Sequence, residues 1–355
     1  MQTKLVYVLT CAENATYIEQ ALMAIWSARY YNNEAHIVLL VDDLTNQLLV
    51  NKRAEVLDYI NEKIVVPFDD VDASMIYRSR FIKTKVRKFV SGDFLFIDSD
   101  TITCSSLHEV DNFECEVGAV PESNIPVNQF CDALYHSMKI NATKMGWSPK
   151  DEQYYFSSGV IYAKDTKIAH ELFDKWHQYW SEGVDRGVNL DQPSLAKANI
   201  ESSHPIQPIE NKWNCVMFTH PRWAKEAYIQ HYSWYQNMSF LFSKRVLKYI
   251  KENGLTDYIK QYVLFPTSSY IPFDCEFYRY QLKDYCSCVK NIYSGLIDYA
   301  IHIDPTFADY KQNNLIHKLL TRKMYFMATI VLLCIKFRYV KFSKKYKNIE
   351  NICAK

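Results

Sequence analysis

Four short apolar runs, separated by stretches of helical periodicity, constrain this chain more than any other feature. Leu5 to Leu9, His36 to Asp42, Lys63 to Pro67 and Phe94 to Asp98 lack polar–apolar alternation, as strands buried on both faces do. Between them, Tyr17 to Tyr30, Leu44 to Asn61 and Ser74 to Val90 carry apolar residues at helical spacing. In the first, Ile18, Ala21, Leu22, Ile25 and Trp26 form one stripe. This order predicts an α/β fold with a mostly parallel central sheet and helices on both faces. Further strands are expected near 117–121 and 158–163, and a helix from Lys167 to Trp180.

In such sheets ligands gather beyond the carboxyl ends of the strands, and Asp42, Asp43, Asp98 and Asp100 occupy those ends. The sharpest feature is Asp98-Ser99-Asp100. Side chains alternate along a strand, so two carboxylates at i and i+2 converge at its tip only if the chain turns there. Converging carboxylates repel unless a cation lies between them. Hard oxygen ligands suit Mg²⁺ or Mn²⁺ held jointly with a substrate's phosphates. The bland alternative is one Asp capping a turn and the other in solvent. Upstream, Arg78, Arg80, Lys83, Lys85, Arg87 and Lys88 lie beside the buried stripe of Ile82, Val86 and Val90. Arg80 and Lys83 are the candidates to neutralise a bound diphosphate; the other four are expected on a solvated helix face.

Composition removes several functions. With 8 glycines in 355 residues, the chain has neither GxGxxG nor GxxxxGK[ST], so the common dinucleotide cradle and the P-loop are excluded. A net charge of +1 argues against a dedicated nucleic-acid binder. Ten cysteines include no CxxC pair and no zinc spacing. The first ten residues are too short and polar for a signal peptide and are expected to open on a strand, leaving reduced thiols. The charge is unevenly spread. Residues 310–349 hold ten of the 41 Lys and Arg and no Asp or Glu, beside the uncharged run Met324 to Ile335. Twelve residues fall short of a bilayer span, and basic flanks suit a helix lying in a membrane interface. A buried core helix is the other reading.

Five motifs then resemble, in order and approximate spacing over residues 4–235, the glycogenin-like family of retaining glycosyltransferases (family 8), which includes bacterial lipopolysaccharide galactosyltransferases. Tyr7-Val-Leu9-Thr10 through Tyr17 is similar to the family's opening strand and nucleotide loop, and Asp98-Ser99-Asp100 to its metal-binding D-x-D. Tyr155-Phe-Ser157-Ser158-Gly159-Val160 is similar to its F-N-S-G-V strand. Asp191-Gln192 with Lys212-Trp-Asn214 matches its D-Q pair and following Asn, and His231-Tyr232 its late H-[FY] element.

The resemblance implies a GT-A fold, with Asp98, Asp100 and His231 holding Mn²⁺ or Mg²⁺. It implies a base pocket of Leu9, Thr10 and Tyr17, Ser158 and Gly159 bordering the donor sugar and acceptor, and Ser99 among the donor-binding residues. Asp191 and Gln192 would lie beneath the reacting carbon as catalytic residues. Taken singly, His231 also reads as a packed core histidine and Gln192 as the cap of the helix begun by Pro193. Ser157 stands where the family has Asn, and the family's Gly-Lys-Pro-Trp after the late His is replaced by Ser-Trp-Tyr-Gln. The missing cation would have to come from Lys83 or Lys212.

Three segments are expected: 1–240, a catalytic domain; 241–315, a helical extension; and 316–355, a basic, apolar membrane-associating tail. The expected function is metal-dependent transfer of a hexose from a nucleotide sugar, a UDP-hexose, to a glycolipid or saccharide with retention of configuration, as in polysaccharide biosynthesis. The expected location is the cytoplasmic inner face of the membrane, without nucleic-acid partners. A metal-dependent phosphohydrolase of nucleotide diphosphates and a non-catalytic membrane-associated protein with a decayed site are the alternatives.

Overall fold

The computed structural model of the chain describes residues 1–68, 73–122, 125–130, 132–217, 224, 226–232 and 241–266. Two compact units divide the chain, Met1–Phe130 with Tyr135–Pro272, and Cys131–Leu134 with Phe273–Lys355. Both sheets and the site lie in the first. Its elements begin with β1 (Lys4–Leu9), α1 (Tyr17–Tyr31), β2 (Ile37–Asp42), α2 (Asp43–Leu48), β3 (Glu62–Val66), α3 (Met75–Thr84), α4 (Val86–Phe89) and β4 (Phe94–Ile97). There follow β5 (Thr101–Thr103), β6 (Val117–Pro121), α5 (Asp132–Met145), β7 (Phe156–Ala163), α6 (Lys167–Asp185) and α7 (Gln192–Glu201). The last described elements are β8 (Ile206–Pro208), β9 (Cys215–Val216), β10 (Ile229–His231), α8 (Lys244–Asn253) and α9 (Asp257–Leu264).

The seven-stranded sheet runs β3-β2-β1-β4-β7-β6-β8. β3, β2, β1 and β4 are mutually parallel, and β6 pairs with β8 in parallel. β7 is antiparallel to both neighbours. This is the mostly parallel α/β architecture expected from the sequence. Three of the four apolar runs, β1, β2 and β4, lack alternation because both faces are covered; β3, at the sheet's edge, is buried only toward Val66. Val6, Val8, Val38, Leu40, Phe94 and Phe96 pack against Ile82 of α3, Val86 of α4 and Phe173 and Trp176 of α6. Leu5, Tyr7, Leu9, Leu39, Val41, Leu95 and Ile97 on the opposite face are equally buried. Truncating a buried Trp to Ala costs about 3–5 kcal/mol, so Trp176 anchors α6 firmly to the sheet.

Several local expectations are corrected. The helix expected over Leu44 to Asn61 divides into α2 and a 3₁₀ helix, Asn51–Tyr59, because Asn51 takes a φ of 52°. The break turns Arg53 toward the buried Glu19 of α1, at 2.7 Å. Within α1, all eleven positions from Ile18 to Ala28 are buried, so the expected single stripe widens to the whole circumference. Of the four cations near α3 expected to face water, Lys88 is exposed and Lys85 half-buried, but the other two are not in solvent. Arg78 is buried against Asp42, and buried Arg87 donates to the carbonyls of Val90 and Gly92 and lies 4.4 Å over the Phe94 ring. Asp42, expected where chemistry occurs, is instead a fully buried cap: Thr45 N donates to its Oδ1 at 2.8 Å. Asp43 accepts from Phe68 N.

α8 and α9 belong to the same unit as the sheet, and Lys251 Nζ donates to Glu13 O at 2.7 Å. The extension beyond 266 and the tail from 316 lie outside the described residues. Among the described residues no helix is long and apolar enough to cross a membrane.

Candidate metal and active site

β1 pairs with β2 on one side and β4 on the other, so successive crossovers leave it in opposite directions. That is a topological switch point, where open α/β sheets form a crevice. Asp98 leaves the sheet just beyond β4. Its N donates to Gly159 O at 2.8 Å, and Thr101 Oγ1 donates to Asp98 O at 2.8 Å, closing the turn that swings Asp100 back. β7 runs antiparallel to β4, so its amino end, with Ser157, Ser158 and Gly159, lies beside that turn.

A second, three-stranded sheet, β5-β10-β9, brings in the distant partner. β5 follows Asp100 directly and pairs antiparallel with β10, setting His231 opposite Thr101; Tyr232 N donates to Asp100 O at 2.9 Å. His231 Nε2 lies 3.1 Å from Asp100 Oδ1, though 131 residues separate them. One ligand atom each from Asp98, Asp100 and His231 fits within 4.8 Å of the others.

The surroundings fix the imidazole. His231 Nδ1 lies 2.9 Å from Asn214 Oδ1, whose Nδ2 donates to Ser157 Oγ at 3.0 Å. An amide oxygen only accepts, so Nδ1 carries a proton; without a cation Nε2 donates a second one to Asp100, and a bound metal would take the place of that proton on the Nε2 lone pair. A metal-ligating histidine is commonly oriented this way. Gly159 makes the packing possible: a Cβ there would stand 2.7 Å from His231 Nδ1, closer still to Cε1, and 3.2 Å from Asp98 Oδ2. Two carboxylates and one neutral imidazole around a shared point form a donor set suited to Mn²⁺ or Mg²⁺, so the residues present fit the cation the sequence suggested.

Lys83 ties this cluster to a second one. Its Nζ lies 3.0 Å from Asp98 Oδ1, 3.0 Å from Asp191 Oδ2 and 3.4 Å from Ser158 Oγ. Arg80 Nε faces Asp191 Oδ1 at 3.5 Å. Arg80 and Lys83 are three positions apart on α3, so one helix face supplies both cations. Burial is the largest influence on each group here, but the charged neighbours often reverse it. Burial works against the Lys83 ammonium, yet Asp191 and Asp98 raise its pKa above the usual value. Burial pushes Asp98 up to about 6, opposed by Lys83 and reinforced by Asp100. Asp100 is lowered despite burial because His231 faces it, and His231 is raised in return. Asp191 is brought down to about 2, with Lys83 and Arg80 outweighing burial.

Asp191 and Gln192 open α7, with Pro193 in its first turn. The Asp191 side chain makes no cap; its carbonyl accepts from Trp176 Nε1 at 2.8 Å and Ser194 Oγ at 2.7 Å, leaving the carboxylate to Lys83 and Arg80. Gln192 Nε2 donates to Glu122 Oε2 at 2.7 Å and to Phe156 O at 2.9 Å. Tyr155 lies close by, its hydroxyl pKa raised by burial and further by Glu122 and Asp191.

The remaining sequence candidates are placed less tightly. Leu9 is buried at the end of β1, Thr10 Oγ1 donates to Met75 O at 3.0 Å, and half-buried Tyr17 begins α1. Ser99 occupies the turn between the two aspartates. Lys212 points elsewhere: its Nζ pairs with Glu109 at 3.1 Å and Glu210 at 3.3 Å, neither of them in the cluster. Sequence reasoning gave no role to Asn214 or Ser157 and did not single out Glu122. Asn214 was visible only as part of a motif, and Glu122 carried no local signal.

No family model matches the sequence, and no curated protein does. Among solved structures the chain is similar to mouse xyloside xylosyltransferase 1 in its apo form, with 15% identity, 66% of this chain and 98% of that one covered, and a TM-score of 0.42. It is similar to the galactosyltransferase LgtC in complex with donor and acceptor sugar analogues, with 14% identity, 79% and 100% covered, and a TM-score of 0.45. It is also similar to the glycosyltransferase GlyE of Streptococcus pneumoniae, with 17% identity, 75% and 64% covered, and a TM-score of 0.45.

Proposed function

We propose that the chain is a metal-dependent glycosyltransferase of the GT-A, family 8 type, transferring a hexose from a UDP-sugar to a saccharide or glycolipid with retention of configuration. The carrying observation is the convergence of Asp98, Asp100 and His231 next to the Lys83–Asp191–Arg80 chain at the sheet's switch point. Asp98, Asp100 and His231 would hold Mn²⁺ or Mg²⁺, which when bound supplies positive charge to the departing diphosphate.

The chain's own residues do the rest. Asn214 holds the His231 ring with Nε2 toward the ligand point. Lys83 keeps Asp98 and Asp191 together without a proton on either, and Arg80 adds a second cation on the Asp191 side. Leu9, Thr10 and Tyr17 border the base. Ser99, Ser158 and Gly159 border the sugar, and Asp191 with Gln192 lies beneath the carbon at which the donor bond breaks. Lys212 reaches a diphosphate only by leaving Glu109 and Glu210, so we assign the missing cation to Lys83 and Arg80.

The test is a panel of UDP-glucose, UDP-galactose and other nucleotide sugars assayed for Mn²⁺-dependent turnover, with Asp100→Asn as control. Release of UDP and sugar, abolished in Asp100→Asn, supports the proposal. Release of UMP and sugar phosphate identifies a phosphohydrolase instead, and no turnover of any donor rejects both. We further propose that the basic tail from 316 holds the enzyme at an anionic membrane surface beside a lipid-linked acceptor. Removing residues 318–355 is then expected to abolish liposome binding while donor hydrolysis persists; undiminished binding refutes the tail's role.

A further inference from the structure

We infer that Glu122 is the positioning residue that fixes which face of the Gln192 amide meets the substrate. This rests on the glycosyl-transfer reading above and assigns a role to a residue outside its motifs.

The geometry leaves the amide one orientation. Its nitrogen has two hydrogens, and two acceptors stand ready: Glu122 Oε2 at 2.7 Å and Phe156 O at 2.9 Å. Rotating the amide by half a turn would set its oxygen against a carboxylate and a carbonyl, three acceptors with no proton among them. Gln192 Oε1, by contrast, has no hydrogen-bond partner among the described residues and is the atom offered to a ligand.

Strand pairing sets both acceptors. β6 and β7 run antiparallel with a register shift between Ala119 and Pro121, after which Pro121 lies opposite Phe156. Glu122 N then donates to Tyr155 O at 2.6 Å, so the chain beyond β6 stays beside the start of β7. Gln192 opens α7 against that pair, bracketed by an acceptor from each neighbouring segment. A neutral carbonyl alone would hold one hydrogen and orient the amide more weakly. The carboxylate supplies the second, charge-assisted bond.

The consequence is chemical. With Oε1 forward, the amide presents the negative end of its dipole, and Asp191 adds a carboxylate beside it. Such a floor favours a donor carbon that gains positive character as its bond to the diphosphate lengthens. With Nε2 forward the same side chain would oppose that charge. Glu122 therefore acts through Gln192 and need not touch the substrate.

The experiment compares the intact chain with Glu122→Ala and Glu122→Gln in Mn²⁺-dependent hydrolysis of UDP-glucose and UDP-galactose, with Mn²⁺ affinity measured alongside. Glu122→Ala is expected to lower kcat roughly ten- to hundredfold while KM and Mn²⁺ affinity stay within about twofold. In Glu122→Gln the new carboxamide oxygen still accepts from Gln192, so at least half of the loss, on a logarithmic scale, is expected to return. A Glu122→Ala kcat within about twofold of the parent overturns the inference, as does an equal fall in kcat and Mn²⁺ affinity, which would mark general damage. A parent enzyme inactive on every donor of the nucleotide-sugar panel removes the inference together with the reading beneath it, and that outcome is visible before any variant is made; where a different donor is turned over, the variants are assayed with that one.

Discussion

Replacing Gly159 by Ala is the most demanding test of the metal centre, because it adds one methyl and removes no ligand. The added Cβ would lie 2.7 Å from His231 Nδ1 and nearer to Cε1, where about 3.5–4.0 Å separates carbons in contact. More than an ångström of relief is needed. β7 cannot supply it, since its strand is bonded to β4 on one side and β6 on the other. The ring must move instead. A shift of that size breaks the 2.9 Å contact with Asn214 Oδ1 and the 3.1 Å approach to Asp100 Oδ1. Metal–ligand distances tolerate only about 0.2 Å, so the displaced imidazole no longer ligates.

The two consequences separate cleanly. Overpacking costs about 1–3 kcal/mol, which lowers the melting temperature by several degrees. Loss of an oriented ligand is expected to cut Mn²⁺ affinity by at least tenfold, the lower end of about 10–100-fold seen when only a supporting residue is lost. Gly146→Ala is the control. Gly146 has a φ of +76° with nothing near its added Cβ, so Ala there costs about 1–2 kcal/mol of backbone strain away from the cluster. Calorimetric Mn²⁺ titration and thermal denaturation of both variants decide the matter. If Gly159→Ala binds Mn²⁺ within twofold of the parent, the imidazole is not a ligand and the reasoning fails.

Two other perturbations probe the electrostatics. Lys83→Met leaves Asp98 and Asp191 facing each other with their shared cation gone, a loss worth about 3–5 kcal/mol in comparable buried pairs. Mn²⁺ should therefore raise the melting temperature of this variant more than that of the parent, and a parental melting temperature without metal refutes the counterion role. His177, 2.8 Å from Thr84 Oγ1, is held down to about 4 by burial, with Lys85 and Lys88 adding repulsion. Its folded pKa lies below its unfolded one, so its contribution is complete above about 6.5 and lost as pH falls toward 4. After allowance for its partial exposure, a loss of about 1–2 kcal/mol is expected across that window, measured by urea unfolding at several pH values. His177→Gln should flatten that part of the profile, and an unchanged slope counts against it.

What could be seen in the sequence divides along a physical line. β1, β2 and β4 were legible because burial on both faces leaves a run of four or five apolar residues, a signal contained within the run itself, while β3 was legible from the short β-branched run Ile64-Val-Val66 at the sheet's edge. Asp98 and Asp100 were legible for the same reason: the strand that delivers them ends immediately before. β5 was not, since Thr101-Ile-Thr103 is three residues long and its partner β10 lies over a hundred positions away. Only that pairing carries His231 to Asp100, so the histidine could be named through the motif resemblance alone, and composition and periodicity gave it no place beside its carboxylate. The cations around α3 show the converse. Six charges in eleven residues look like a solvated face, yet a charge can be buried wherever the fold supplies a partner. Asp42 supplies one to Arg78, and the Val90 and Gly92 carbonyls do so for Arg87. Glu122 is the extreme case. Its place beside Gln192 follows from a three-residue shift in a β ladder, and without that shift the same glutamate would sit elsewhere along the edge of the strand. Residues that bear chemistry were thus visible where one strand delivers them, and hidden where orientation depends on register between segments far apart in the chain.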